Sequence, residues 1–283
     1  MPDRILDIDL DAFVWPIAYW PRGGRLNPEG YTSWSPEQVE RFLAEQCALK
    51  QSAPLPGRRV QDHDEAFDTW LEWLEQGILT APFEVIHVDA HADLGLGDSS
   101  WVYLMTELLA EPLENRVIPR RGPSGLNAGS YLAFAVAAQW LASLTYVYPP
   151  SPKIEPTTDV TPATPIQLQI VQEDGSIDVQ ELRLSFSNGS EELNEPGDLH
   201  PYLFQDFDSR SGMLQLKYYA NLPQDPRLAR PDRLEPPVPF TAIPIDQFAG
   251  RHFTHIILAE SPDFTPATAD ALLPAIETFF RPR

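Results

Sequence analysis

Acidic and histidine side chains fall into three short clusters along this chain of 283 residues. The clusters are DIDLD at residues 7–11, DHDE at residues 62–65 and HVDAHAD at residues 87–93. Successive carboxylates without a nearby Lys or Arg repel one another, and burying them unpaired is costly. Divalent cations would remove that cost, so the clusters predict a metal site.

The predicted metal ligands are Asp9, Asp11, His63, Asp89, His91 and Asp93. Their four carboxylates balance the charge of two divalent cations, and their two imidazoles add neutral nitrogen donors. A donor set rich in oxygen with some imidazole favours Mn²⁺ over the thiolate-rich sites of structural zinc. Taken singly, residues 7–11 and 62–65 also fit a solvated strand edge or a helix cap. The alternation at residues 89–93 has no comparable structural explanation.

The elements that must bring the clusters together alternate between strands and helices. We predict strands at residues 4–10, 83–88, 144–148 and 255–258, helices at residues 36–49, 65–76 and 127–141, and a last helix after Thr265-Pro266. The mainly apolar strand FEVIHV is typical of a parallel sheet with helices on both faces, which indicates a layered α/β protein. Ligands collect at the carboxyl ends of strands in such a sheet, so the three clusters are expected to be neighbours.

A proline-rich section at residues 149–244 differs in character from the rest of the chain. Within it, residues 166–171 and 177–184 flank Glu-Asp-Gly-Ser, a turn sequence that predicts a β-hairpin. We therefore predict one domain over residues 1–283, with residues 149–244 as an insertion or accessory β layer inside it.

The charge and the cysteine content exclude several functions. The formal charge is −21, from 41 acidic and 20 basic residues, which argues against nucleic-acid binding and favours cationic partners. Residues 122–152 carry no charge, but polar side chains interrupt them and their apolar runs are too short to cross a membrane. The single cysteine, Cys47, excludes an internal disulfide and, with no sign of a signal peptide, predicts the cytoplasm.

Four segments resemble signatures of a known family. His87-Val-Asp-Ala-His-Ala-Asp93 resembles the Asp-Ala-His-x-Asp signature of arginases and agmatinases (ureohydrolases), and Asp9-Leu-Asp11 resembles their Asp-x-Asp signature. Asp62-His63 resembles the end of their Gly-Gly-Asp-His segment. Ala259-Glu260-Ser261-Pro262 is similar to their C-terminal strand-end segment, whose glutamate contacts the guanidinium.

Two departures narrow this resemblance. The Asp-x-Asp segment follows Asp-Ala-His-x-Asp in arginases but precedes it here, so the motif order is permuted. Ala128 stands where their Asn-x-His-Gly segment has histidine. The arrangement resembles more closely a divergent arginase-like family that contains the peptide arginases of ribosomal natural-product pathways. Those enzymes hydrolyse arginine side chains of a precursor peptide to ornithine and urea.

The resemblance implies an arginase-like three-layer fold and two Mn²⁺ ions per chain that generate hydroxide from water. The implied ligands are Asp9, Asp89, His63 and Asp93 for one ion and Asp9, Asp89, His91 and Asp11 for the other, with Asp9 and Asp89 bridging. The implied partner is an arginine-containing precursor peptide. The sequence predicts neither the identity of that peptide nor an oligomeric state.

The resemblance also implies catalytic and substrate-binding roles. Asp93 would hydrogen-bond the hydroxide and accept its proton, and Glu260 would hold the guanidinium through a charge-assisted contact. Because the usual histidine is replaced, His87 is a candidate acid for the leaving amine, with a buried structural role as the alternative. Asn127 and Ser130 would line the substrate pocket or cap a helix.

Other classes of protein share part of this pattern. Another dinuclear-metal amidinohydrolase or a deacetylase would have the metal ligands but would not need Glu260. A non-catalytic protein would bind cationic peptides through acidic loops without metal. Aromatic residues outside the motifs, including Tyr131, are candidates to stack on a guanidinium, but the helical spacing of most of them fits the core better.

Overall fold

The computed structural model describes residues 2–18, 23–95, 100–149, 212–221 and 230–283, together with the backbone of residues 166–171, 177–182 and 207–208. The chain divides into two compact units, one formed by Met1–Pro150 with Tyr202–Arg283 and the other by Ser151–Pro201. The first unit contains all the predicted metal ligands.

A nine-stranded sheet forms the centre of the first unit. The strands of the described residues are β1 (Arg4–Asp9), β2 (Val14–Trp15), β3 (Thr32–Ser33), β4 (Leu55–Val60), β5 (Phe83–Val88), β6 (Leu141–Tyr148), β7 (Ile166–Val171), β8 (Ile177–Leu182), β9 (Phe207–Asp208), β10 (Met213–Leu214), β11 (Lys217–Tyr218), β12 (Arg233–Leu234), β13 (Val238–Pro244), β14 (His255–Ala259) and β15 (Phe280–Pro282). The order in the sheet is β15-β4-β14-β1-β5-β6-β13-β10-β9. From β15 to β13 the neighbours are parallel, and β10 and β9 continue the sheet antiparallel. The chain is therefore an α/β protein with a large, mostly parallel sheet, as predicted.

Helices pack against both faces of this sheet. They are α1 (Pro36–Arg41), α2 (Glu65–Glu75), α3 (Ser100–Thr106), α4 (Leu113–Arg116), α5 (Tyr131–Ala137) and α6 (Leu273–Glu277). Apolar side chains of α2, α3 and α5 form one core with the sheet, and those of α1 and α6 form a second core on the other face. Among the described residues, no helix combines the length and the apolar character that crossing a membrane requires.

Alternation along β1 decides where its carboxylates point. Leu6 and Ile8 are buried in the core of α1 and α6, whereas Ile5 is buried in the core of α2 and α5. Because successive side chains of a strand point to opposite faces, Asp7 and Asp9 share the face of Ile5. Since β1 lies between β5 and β14, both carboxylates are near the centre of the sheet, on the side of α2 and α5.

Two predicted helices are shorter in the structure. The helix predicted at residues 36–49 consists of α1 and a π-helical turn at Phe42–Gln46. The helix predicted at residues 127–141 is only α5, because Gln139 has a φ of 58°, and a left-handed residue cannot continue a right-handed helix. The following strand consequently begins at Leu141, earlier than predicted.

The predicted hairpin is present in the second unit, where β7 pairs antiparallel with β8. Residues 183 and 184, which the prediction adds to the second strand, lie outside the described residues. By contrast, β13 falls inside the section predicted as accessory (residues 149–244) but belongs to the main sheet, parallel to β6. Pro239 and Pro244 make this strand resemble a loop in the sequence.

Candidate metal centre

The three predicted clusters meet at the carboxyl ends of β1 and β5. These strands are neighbours, and Ile8 lies opposite Val88 in their parallel register, so Asp9 and Asp89 follow side by side. His63 comes from the turn between β4 and α2. The structure thus brings carboxylates and imidazoles that are far apart in the sequence into one buried cluster.

A first set of donors surrounds Nδ1 of His63. This nitrogen is 3.0 Å from Oδ2 of Asp9, 2.9 Å from Oδ2 of Asp89 and 3.3 Å from Oδ2 of Asp93. Only 1% of His63 and 8% of Asp93 is exposed to solvent. We call Asp9, His63, Asp89 and Asp93 the inner group.

A second set of donors lies beside the first and shares Asp89. Nδ1 of His91 is 3.0 Å from Oδ2 of Asp11 and 3.6 Å from Oδ1 of Asp89. The side chain of His91 is 24% exposed. We call Asp11, Asp89 and His91 the outer group; it reaches the surface through His91, whereas the inner group is buried.

Three buried atoms that could bind a metal have no hydrogen-bond partner among the described residues. They are Nδ1 of His63, Oδ2 of Asp11 and Oδ2 of Asp89. The nitrogen of His63 and the oxygen of Asp89 are only 2.9 Å apart, which is close enough for a proton or a cation to be shared between them. Leaving a buried polar atom unpaired costs about 1–3 kcal/mol. A cation in contact with these atoms removes the cost, so the cluster can hold a metal ion.

The ring of His91 directs its Nδ1 toward Asp11 of the outer group. Its Nε2 is 3.0 Å from the carbonyl oxygen of Ala18, which can only accept a hydrogen bond, so Nε2 carries the proton of the neutral ring. The lone pair of Nδ1 then faces Oδ2 of Asp11. Two lone pairs at this distance repel unless a cation or a proton lies between them.

The ionisation of the cluster without metal points to the same need for positive charge. Burial, with repulsion from Asp89 and Asp9, raises the pKa of Asp11 well above its ordinary value. Burial and Asp89 also raise the pKa of Asp93 to about 6. Burial lowers the pKa of His91, but attraction to Asp11 outweighs this effect and raises that pKa to about 12. A metal-free cluster therefore takes up protons where a metal would bind.

Metal binding is consequently expected to release protons. Burial lowers the pKa of His63 and of His91, but the surrounding carboxylates raise each pKa by more than burial lowers it. Both rings are therefore protonated at neutral pH without metal. A metal must displace the proton at Nδ1 of each ring. The affinity for Mn²⁺ should therefore fall as the pH is lowered, by roughly tenfold per pH unit for each proton released.

Calorimetry in buffers of different ionisation enthalpy measures the number of protons released. Titrations at several pH values measure the slope of the affinity. Binding that releases no protons and has the same affinity at about pH 6 and about pH 8 would contradict the expected displacement.

Residues outside the predicted ligand set also belong to the cluster. The hydroxyl of Ser261 donates to Oδ2 of Asp9, and the hydroxyl of Tyr131 donates to Oδ2 of Asp7. Asp7 lies on the same face of β1 as Asp9. The alternation of acidic and apolar residues along this strand is therefore the sequence pattern that could have predicted Asp7 as a member of the cluster. The helical spacing of Tyr131 indicates only that it is buried, so its hydroxyl contact has no signal in the sequence.

The backbone is strained at two positions of the cluster. Asp93 has a φ of 47° and Ser261 a φ of 43°, which lie in the left-handed region that residues with a Cβ seldom adopt. Strain of this kind concentrates at functional sites, where the surroundings hold the backbone in place. Both residues present side-chain oxygens to the inner group, Asp93 beside His63 and Ser261 against Asp9.

Glu260, the predicted guanidinium ligand, contacts arginines of the chain itself. Nε of Arg59 donates to Oε1 of Glu260 at 2.7 Å, and Nη2 of Arg25 is 3.9 Å from Oε2. Within residues 259–262, the side chain that contacts a metal ligand is that of Ser261, whose hydroxyl donates to Asp9. The carboxylate of Glu260 is thus oriented toward guanidinium groups, but Arg59 already occupies it.

His87, the candidate acid, is fully buried. Its Nδ1 is 3.3 Å from Oδ2 of Asp7, and its Nε2 is 3.0 Å from the carbonyl oxygen of His91. With both ring nitrogens engaged and no exposed surface, His87 fits the structural alternative better than the role of an acid that meets the substrate.

Asn127 and Ser130 build the turn that precedes α5. The backbone N–H of Asn127 donates to Oγ of Ser130 at 3.1 Å, and the side chain of Asn127 accepts the backbone N–H of Gly129 at 3.0 Å. The backbone N–H of Leu132 donates to the carbonyl oxygen of Asp93 at 3.2 Å. These contacts favour a role in supporting the backbone of Asp93 over a role in lining the pocket.

The donors of this cluster are carboxylate oxygens and imidazole nitrogens, which suit Mn²⁺ and several other divalent ions. Comparison of the chain with protein-family models and with curated proteins finds no match in either case. The buried Asp and His groups are close enough together to hold a metal ion.

Proposed function

We propose that the protein is a metal-dependent hydrolase that converts arginine residues of a precursor peptide to ornithine and urea. The observation that carries the proposal is the group of buried, unpartnered donor atoms of His63, Asp11 and Asp89, because these atoms are stable together only with positive charge between them. The resemblance of residues 87–93 and 9–11 to ureohydrolase signatures supports guanidinium hydrolysis as the reaction.

The metal that we propose is Mn²⁺, with two ions per chain. The inner group would hold one ion, and the outer group together with Asp9 would hold the other. The oxygen-rich donor set supports Mn²⁺, and the sharing of Asp89 between the two groups supports a pair of neighbouring ions. When bound, such a pair supplies Lewis acidity that lowers the pKa of water, so that water can attack at neutral pH.

Asp93 would transfer the protons of the reaction. Burial and Asp89 raise its pKa to about 6 without metal, and neighbouring cations would lower that pKa, so the carboxylate is ionised at neutral pH. It can then accept a proton from the attacking water. As the new carbon–oxygen bond forms and the bond from the guanidinium carbon to the arginine Nε breaks, Asp93 can return that proton to the departing amine. The second proton of the water passes to the same amine, which leaves neutral urea and the ornithine ammonium group.

The substrate would approach from the side of the outer group, where His91 is partly exposed. The ring of Phe264 lies 5.2 Å from the ring of His91, in an edge-on arrangement, and would form one wall of the approach. The charge of −21 favours the arrival of a cation. A long cationic side chain such as that of arginine fits this acidic approach to a buried centre.

The ion pair between Arg59 and Glu260 gives a test of substrate binding. If Glu260 receives the substrate guanidinium, Arg59 competes with the substrate, so Arg59→Ala should lower KM. Partly exposed ion pairs are worth about 0.2–1 kcal/mol, which corresponds to a decrease in KM of roughly 1.4- to fivefold. Glu260→Gln should raise KM instead.

Steady-state kinetics on one arginine peptide measure both changes. The matched control is Glu277→Gln, because Glu277 also pairs with Arg59 at 3.0 Å but has no proposed contact with the substrate; its KM should equal that of the unmodified chain. If neither Glu260→Gln nor Arg59→Ala changes KM, Glu260 does not bind the substrate.

The reaction itself is tested by urea release. Incubation of the protein with Mn²⁺ and arginine-containing peptides should release urea and lower the peptide mass by one CH₂N₂ unit for each arginine converted. A sample stripped of metal by a chelator should release none until Mn²⁺ is restored. Failure to release urea from any arginine peptide, with metal shown to be bound, would overturn the proposed activity.

A second candidate is a metal-dependent hydrolase of other amidines or of amides. The pairing of Glu260 with Arg59 favours it, because such a substrate does not need a free carboxylate at this position. Urea release from agmatine and acetate release from acetyl-lysine peptides separate the two candidates. Peptide binding that is insensitive to chelation would instead indicate a non-catalytic binder.

A further inference from the structure

A buried polar network lies behind the inner group. Asp7, His87 and Tyr131 have no exposed surface. Nε2 of His63 is 3.3 Å from Oδ1 of Asp7 and 3.0 Å from the hydroxyl oxygen of Tyr131. His63 therefore has one ring nitrogen toward the inner group and the other toward this network.

The network determines which nitrogen of His63 carries the proton. Tyr131 has a single hydroxyl proton, which it donates to Oδ2 of Asp7, so its oxygen can only accept from His63. Oδ1 of the Asp7 carboxylate is also an acceptor. Both groups that face Nε2 are thus acceptors, so when a metal displaces the proton of Nδ1, the remaining ring proton lies on Nε2. Nδ1 is left with its lone pair, which faces Asp9 and Asp89.

The same network reaches the outer group through His87. Nδ1 of His87 is 3.3 Å from Oδ2 of Asp7, and its Nε2 is 3.0 Å from the backbone carbonyl oxygen of His91. The carboxylate of Asp7 is therefore connected to the side chain of one histidine ligand and to the backbone of the other.

We propose that Asp7 and Tyr131 are positioning residues, which hold His63 in the tautomer and orientation that offer Nδ1 to a metal ion. This inference rests on the metal centre of the proposed function. The carboxylate supplies one acceptor for Nε2–H, and Tyr131 supplies a second while fixing the carboxylate. Loss of such partners of a metal-binding histidine typically weakens metal affinity by roughly 10- to 100-fold.

Two conservative variants test this role, Tyr131→Phe and Asp7→Asn. Tyr131→Phe keeps the ring and removes only the hydroxyl. Asp7→Asn keeps the shape, but its amide N–H₂ can face Nε2 and drive the ring proton to Nδ1. The matched control is Tyr103→Phe, which removes a hydroxyl that accepts the backbone N–H of Arg120 at 3.1 Å, outside the metal cluster.

Calorimetry with Mn²⁺ alone gives the affinity of each folded variant. Tyr131→Phe and Asp7→Asn should bind roughly 10- to 100-fold more weakly, and Tyr103→Phe should bind like the unmodified chain. Affinities of Tyr131→Phe and Asp7→Asn within about twofold of the unmodified chain would overturn the positioning role.

A second measurement does not depend on any variant. Nitrogen NMR of the ¹⁵N-histidine-labelled, unmodified chain with diamagnetic Zn²⁺ reports which ring nitrogen of His63 binds metal. A protonated Nε2 and a metal-bound Nδ1 support the inference, and the reverse assignment overturns it even if a variant fails to fold. A chain that shows this tautomer and loses metal affinity in the variants, yet releases no urea, would overturn the proposed reaction and leave the positioning role standing.

Discussion

Replacing Asp89 with asparagine is expected to remove metal binding and urea release together. Asp89 is the side chain that both donor groups share, with Oδ2 at 2.9 Å from Nδ1 of His63 and Oδ1 at 3.6 Å from Nδ1 of His91. An amide at this position removes the negative charge and turns an N–H₂ group toward one of the two sites. Both sites should therefore fail at once.

The expected loss is large, because even indirect partners of metal ligands are worth roughly 10- to 100-fold in affinity or activity. We expect Asp89→Asn to weaken Mn²⁺ binding by more than about 100-fold and to reduce urea release to the background level. Elemental analysis after gel filtration gives the metal content, and the urea assay gives the activity.

The matched control is Asp68→Asn, which makes the same change on α2, where Asp68 pairs with Arg121 near the surface. It should retain both metal and activity. Thermal denaturation without metal shows whether Asp89→Asn still folds. A folded Asp89→Asn protein that keeps the full complement of Mn²⁺ would rule out the metal centre as we describe it.

Binding of Mn²⁺ is expected to raise the thermal stability of the protein strongly. Without metal, the buried carboxylates of the two groups face one another, and this repulsion disfavours the folded state. A ligand that binds only the folded state stabilises it by about 2.7 kcal/mol per site when its free concentration is 100 times Kd. Each kcal/mol corresponds to about 2–4 °C for domains of 150–250 residues, so each occupied site should raise Tm by roughly 5–10 °C.

A thermal shift titration over a range of Mn²⁺ concentrations measures this effect. Asp68→Asn should show the same rise as the unmodified chain, and Asp89→Asn should show none. A rise of equal size in Asp89→Asn would mean that the ions bind elsewhere on the acidic surface and would remove the support for a specific centre.

The sequence was sufficient to predict the class of the fold and the meeting of the clusters. The alternation of apolar and acidic residues at 4–10 and the apolar run at 83–88 indicate two strands, and parallel neighbours place their carboxyl ends together. The lengths of the helices were predicted less well, since the end of α5 depends on the left-handed backbone of Gln139. The membership of β13 in the main sheet depends on pairing with β6, which local composition does not indicate.

Contacts between distant residues account for the features of the site that the sequence did not reveal. The network of Asp7, His63 and Tyr131 joins three separate parts of the chain, and the pairing of Glu260 with Arg59 joins the residue after β14 to β4. Ala259, the last residue of β14, packs in the core of α2 and α5, and Arg59 pairs with the side chain that follows it.

The left-handed backbone of Asp93 and Ser261 lowers the stability of the fold, while the side chains of both residues belong to the candidate centre. Glycine at either position would adopt this conformation without the roughly 1–2 kcal/mol that a Cβ costs there. The same change would delete a carboxylate of the inner group at residue 93, or the hydroxyl that donates to Asp9 at residue 261. Selection of this chain for thermal stability in the absence of metal would therefore favour glycine at residue 93 and remove a proposed ligand and proton acceptor. At both positions, the side chain that would contribute to the proposed activity also lowers the stability of the protein.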